Sequence, residues 1–60
     1  MIYENIEALC KERGISVTTL EKRAGLGNGT IGKWKDSSPK VENLQAVANT
    51  LKVKIEKLLK

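Results

Sequence analysis

The stretch Ser16-Val17-Thr18-Thr19-Leu20-Glu21-Lys22-Arg23-Ala24-Gly25-Leu26-Gly27-Asn28-Gly29-Thr30-Ile31-Gly32-Lys33-Trp34-Lys35 decides how this chain folds. Its apolar or small residues, Val17, Leu20, Ala24, Leu26, Ile31 and Trp34, divide into two short helical patterns on either side of a glycine-bearing turn. Ser16 is a good N-cap, because its hydroxyl can accept a hydrogen bond from an orphan N–H of the first turn. Gly25 can take the left-handed conformation that closes a helix. The spacing therefore predicts one helix from Ser16 to about Ala24 and another from about Asn28 to Lys35. Two helices joined by so tight a turn hold the second one clear of the body.

Upstream, Ile2, Ile6, Leu9 and Cys10 fall on one helical face and Gly14 follows as a stop, which predicts a first helix over roughly Tyr3 to Arg13. Downstream, the polar turn Asp36-Ser37-Ser38-Pro39 breaks the chain. Val41, Leu44, Val47, Ala48 and Leu51 then form an apolar stripe of helical period. A last short helix near Lys54 to Leu59 offers Ile55, Leu58 and Leu59. Asn28-Gly29 is a hairpin signal elsewhere, but the alternating apolar flanks it needs are missing. The expected architecture is all-α: one compact domain over residues 1–60, with five helices.

Sixty residues, of which 40% are hydrophobic, can build one core. A chain this short buries only about 60% of its unfolded surface. No apolar run approaches a membrane span. The start has no apolar block of secretory type, and Cys10 is the sole cysteine, so a reducing cytoplasm is the expected setting. The charge of +4 is unevenly placed. Residues 1–30 carry four basic and four acidic side chains, whereas residues 31–60 carry seven lysines against three acids. The surplus begins inside the predicted third helix, and a localised positive field favours a polyanionic partner. The final basic segment is too short for firm attachment to a membrane.

Several apparent motifs carry no chemistry. Gly27 to Gly32 matches the dinucleotide pattern G-x-G-x-x-G, but no strand precedes it and Lys52, not an acid, lies twenty residues further on. Asn28-Gly29-Thr30 is formally a glycosylation sequon, irrelevant without secretion. With no histidine in the chain, Cys10 lacks both an activating base and a set of co-ligands, so neither a nucleophile nor a metal site is expected. Glu4, Glu7, Glu12 and Glu21 are interspersed with basic residues as on solvated helix faces. No cofactor and no catalysis are expected.

On the predicted third helix, Ile31 and Trp34 lie three apart and form an inward pair. Asn28, Gly29, Gly32 and Lys33 make the outward set. In the major groove, an Asn can pair with an adenine edge through donor and acceptor together, and a Lys can reach guanine O6/N7 or a phosphate. Asn28 has a second reading as the helix cap. Gly29 and Gly32 either allow close approach to the groove or are tolerated in a weak helix supported by packing.

Taken in order, these features make the chain resemble the Cro/cI-type helix-turn-helix domains of phage and bacterial repressors, the XRE family. The residues that carry the resemblance are Lys11-Glu12-Arg13-Gly14-Ile15-Ser16, Ala24-Gly25-Leu26-Gly27, Thr30-Ile31-Gly32-Lys33-Trp34-Lys35, Pro39-Lys40-Val41-Glu42-Asn43-Leu44-Gln45-Ala46-Val47-Ala48 and Leu51-Lys52-Val53. The resemblance implies a lambda-repressor-like five-helix domain whose helix-turn-helix is formed by the second and third helices. It also implies a transcriptional regulator, of repressor type, that binds duplex DNA as a homodimer on a palindromic operator. By position, it assigns base reading to Asn28, Gly29, Gly32 and Lys33. Val17, Thr18, Lys35, Lys40 and Asn43 fall where the family touches phosphates or lies beside them, and Leu51, Val53, Ile55 and Leu59 where two copies would meet. These last four serve equally as completion of the core.

The chain also departs from that pattern. Val17 stands where a bracing glutamine is common, Gly27 replaces the usual Ser/Thr cap, and Lys40 and Lys54 occupy places where serine caps the next two helices. A lysine there offers no acceptor and opposes the helix dipole. The departures at Val17 and Gly27 keep a second function in view, a protein-interaction module of antitoxin or anti-repressor type on the same fold.

Overall fold

In the computed structural model, which describes residues 2–59, the chain forms helix α1 (Ile2–Glu12), helix α2 (Val17–Arg23), a 3-10 helix (Ile31–Lys35), helix α3 (Val41–Leu51) and helix α4 (Glu56–Leu59). The expected five helices are thus four α-helices and one 3-10 segment, and no strand occurs among the described residues. The third element begins three residues later than its sequence pattern predicts. Asn28 and Gly29 occupy a turn closed by Thr30 N–H donating to the Gly27 carbonyl at 3.1 Å. Gly29 has φ +84, the left-handed geometry that position i+2 of a type II turn demands. A helix of α type cannot pass through such a residue.

Each longer helix ends in the same hydrogen-bonded knot. Gly14 (φ +69), Gly25 (φ +75) and Lys52 (φ +58) take the left-handed conformation. The next residue in each case, Ile15, Leu26 or Val53, donates its N–H five residues back to Cys10, Glu21 or Ala48. This is the Schellman arrangement, in which the residue beyond the left-handed one is apolar and packs back on the helix. Ile15, Leu26 and Val53 are all half-buried against the core.

The core consists of Ile6, Leu9, Cys10, Leu20, Ile31, Trp34, Leu44, Val47, Ala48, Leu51 and Leu58. Helix α1 packs against α2, the 3-10 helix and α4, while α2 packs on α3. The Asn5 Nδ2 donates to the Leu58 carbonyl at 2.9 Å and ties α4 to α1. Val41 is a correction to the predicted stripe: as the first residue of α3 it is 75% exposed, and the buried stripe begins at Leu44. No helix among the described residues is long and apolar enough to cross a membrane.

Candidate nucleic-acid interface

Ile31 and Trp34 are buried, and they turn the opposite side of the 3-10 helix outward. Asn28, Gly29, Gly32 and Lys33 are all exposed. The Asn28 amide makes no hydrogen bond to the described residues, and the residue at the N-cap position is Thr30, itself without a side-chain cap bond. Asn28 is therefore not the cap. Gly32 is unlike Gly29: its φ is ordinary, and an added Cβ would meet nothing within 4 Å. The backbone conformation favours glycine at position 29 and makes no such demand at position 32.

The cap comes from α2. Glu21 is only 3% exposed, which overturns its expected place on a solvated face. One carboxylate oxygen accepts the Gly29 N–H at 3.1 Å and the other accepts the Ile31 N–H at 2.8 Å. A buried carboxylate is costly unless hydrogen-bonded, and backbone N–H groups at a helix start are natural partners for it. The arrangement explains the departure at Gly27, since the acceptor missing there is supplied from eight and ten residues upstream. A signal for it existed in the sequence: Val17, Leu20, Glu21 and Ala24 follow the i, i+3, i+4, i+7 spacing of one buried face.

The residues expected beside phosphates lie on α2, on the 3-10 helix and at the start of α3. Ser16 caps α2 as predicted, its Oγ accepting from Thr19 N–H at 3.0 Å. Thr18 is exposed in the first turn of α2, and Val17 is half-buried beside the core. Lys40 is the exposed N-cap residue of α3 and makes no side-chain cap bond, with Asn43 half-buried in the turn that follows. The Lys35 Nζ lies 4.9 Å from the centre of the Tyr3 ring, a cation–π contact that ties the end of the 3-10 helix to α1.

The four residues expected at a dimer surface do not share one environment. Leu51 is 2% exposed and belongs to the chain's own core, so its side chain is not available to a second copy. Val53 and Ile55 are half-buried against that core, and Leu59 is 54% exposed. A shallow groove of about 370 Å³ lies nearby, lined by Val53, Lys54, Glu56 and Lys57. Cys10 is buried, and burial, with a smaller contribution from Glu7, pushes its thiol above the ordinary range. That makes it a core residue rather than a nucleophile.

The turn, the outward-facing short helix and the supporting α2 define a helix-turn-helix domain. A family profile described as helix-turn-helix matches residues 6–58. The chain belongs to this family, in its Cro/cI-type (XRE) branch, a family of DNA-binding regulatory domains. A search of curated proteins found no match to the sequence.

Proposed function

We propose that the chain is a sequence-specific regulator of transcription, of repressor type, that places the Asn28–Lys33 segment in the major groove of duplex DNA. The observation that carries this reading is the solvent exposure of Asn28, Gly32 and Lys33 directly behind a buried Ile31–Trp34 anchor. Asn28, whose amide makes no hydrogen bond among the described residues, would pair with an adenine edge, and Lys33 would reach guanine or phosphate. Lys35, Lys40, Thr18 and Asn43 would grip the backbone on either side. Gly29 answers a demand of the turn, so close approach to the groove rests on Gly32 alone.

The Cα atoms span principal extents of 25 × 24 × 17 Å. Successive major grooves on one face of B-DNA are about 34 Å apart, so reading two half-sites takes two copies. The reading is a homodimer on a palindromic operator, with the exposed Leu59 and the half-buried Val53 as the apolar residues open to a second copy.

Selection of bound sequences from a random-duplex pool tests function, symmetry and spacing together. The expected result is a two-fold motif whose half-sites are centred about 10 bp apart, bound with an affinity that falls steeply with salt. Binding to a protein partner that ignores salt, with no duplex enriched, would sink the reading. Within it, Gly32→Ala is expected to stabilise the free domain and weaken binding to the selected duplex. Unchanged affinity would remove the close-approach role.

A further inference from the structure

We infer that Glu21 is a positioning residue for sequence reading: its carboxylate locks the Gly27–Ile31 turn onto α2, so that Asn28, Gly32 and Lys33 meet DNA in one arrangement. The inference rests on the DNA-binding function proposed above.

The segment it holds has little order of its own. Residues 27 to 32 include three glycines, each with more backbone freedom to lose than any other residue. A 3-10 helix of five residues is too short to persist alone. Ile31 and Trp34 anchor its inner side, but both lie at or beyond its first residue and leave the preceding turn unheld. Glu21 closes that gap. Its two oxygens take the N–H groups of Gly29 and Ile31, on either side of Thr30. The Thr30 N–H itself donates to the Gly27 carbonyl at 3.1 Å. Three consecutive donors are thereby fixed, two of them by a side chain buried in the face of α2.

The two kinds of DNA contact respond differently to loss of this brace. A lysine reaching a phosphate is a point charge on a flexible stem and tolerates movement of its backbone. A bidentate asparagine at a base edge does not, and ordering a loose turn at the moment of binding subtracts directly from affinity. Replacing the carboxylate by a neutral group of the same size is therefore expected to weaken selected-site binding while leaving sequence-independent binding in place.

Glu21→Gln is the test substitution, since an amide of the same size accepts from one N–H but presents its own donors to the other. Against the duplex selected by the wild-type chain, its affinity is expected to fall about tenfold, comparable to the effect of one mismatched base pair. Against a mixed-sequence duplex it should stay within about twofold, as expected for phosphate-only contacts. Equal losses on both duplexes, or no loss on either, would overturn the inference. Amide hydrogen exchange in the free wild-type chain provides a second measurement that requires neither DNA nor a folded variant. The Gly29 and Ile31 amides should be as protected as those of Leu20 and Ala24, and exchange of Gly29 at unprotected rates would overturn the brace. Failure of the wild-type chain to bind any duplex would instead strike at the proposed function, with the exchange result still standing by itself.

Discussion

The ends of α2 and α3 have the same hydrogen-bond geometry and opposite chemistry. After α2, the left-handed position is Gly25, which adopts φ +75 without steric cost, and the following turn is braced by Glu21. After α3, the left-handed position is Lys52, the one non-glycine residue with positive φ among the described residues. Two residues on lies Lys54, whose carbonyl opens the turn into α4 by accepting Lys57 N–H at 2.9 Å but whose side chain offers no acceptor. The contrast extends to the two halves of the chain. The neutral first half puts serine, glycine and glutamate where backbone chemistry asks for them. The basic second half puts lysine at a left-handed position, at the N-cap of α3 and in the turn that leads into α4. The difference shows where this domain gives up local stability, and what it gains there is positive charge.

Glu21→Ala should produce the largest change. It leaves two backbone donors without acceptors, one of them buried, at about 1–3 kcal/mol each. That is a large part of the stability of a small domain, typically about 0.1 kcal/mol per residue, and thermal melting should show a partly or wholly unfolded chain. A melt like that of the wild type would erase the distinction between the two junctions. Exchanging the left-handed residues tests the distinction from both sides. Gly25→Ala is expected to cost about 1 kcal/mol and Lys52→Gly to add about 1 kcal/mol. The corresponding melting shifts are about 4–8 °C in opposite directions. Shifts of the same sign would mean that the two ends are not equivalent in backbone strain.

The cap positions are expected to respond less. Lys54→Ser should raise stability by about 0.5–1 kcal/mol with little effect on DNA affinity. Lys40→Ser should bring a similar gain in stability but weaken binding to all duplexes alike and lower the slope of log affinity against log salt by about 0.9. That pair separates a lysine kept for phosphate from one that merely occupies a cap. If Lys40→Ser leaves the salt slope unchanged, the trade of stability for charge fails at the position where it matters most.

Much of the scaffold was legible because its signals are local. Ser16 as a cap, Gly14 and Gly25 as stops, and the Leu44–Val47–Ala48–Leu51 stripe each depend on residues within one or two turns of themselves, and all appear as the patterns predict. The inward placement of Ile31 and Trp34 was legible for the same reason. Val41 was misread because periodicity assigns a face and is blind to where the neighbouring elements end. For Leu51 the sequence left two places open, the family's dimer surface and the inward stripe of its own helix, and burial at 2% exposure decides for the stripe.

The local code of caps, stops and apolar spacing was enough to place five helical segments in this order, of which four are α-helices and the third is a 3-10 helix. Whether residues 28–30 continue a helix or form a turn, and what holds that turn in place, was decided only in three dimensions. The physical reason is the Glu21 carboxylate: it meets N–H groups eight and ten residues away, and that contact exists only once α2 and the turn are packed together on the core.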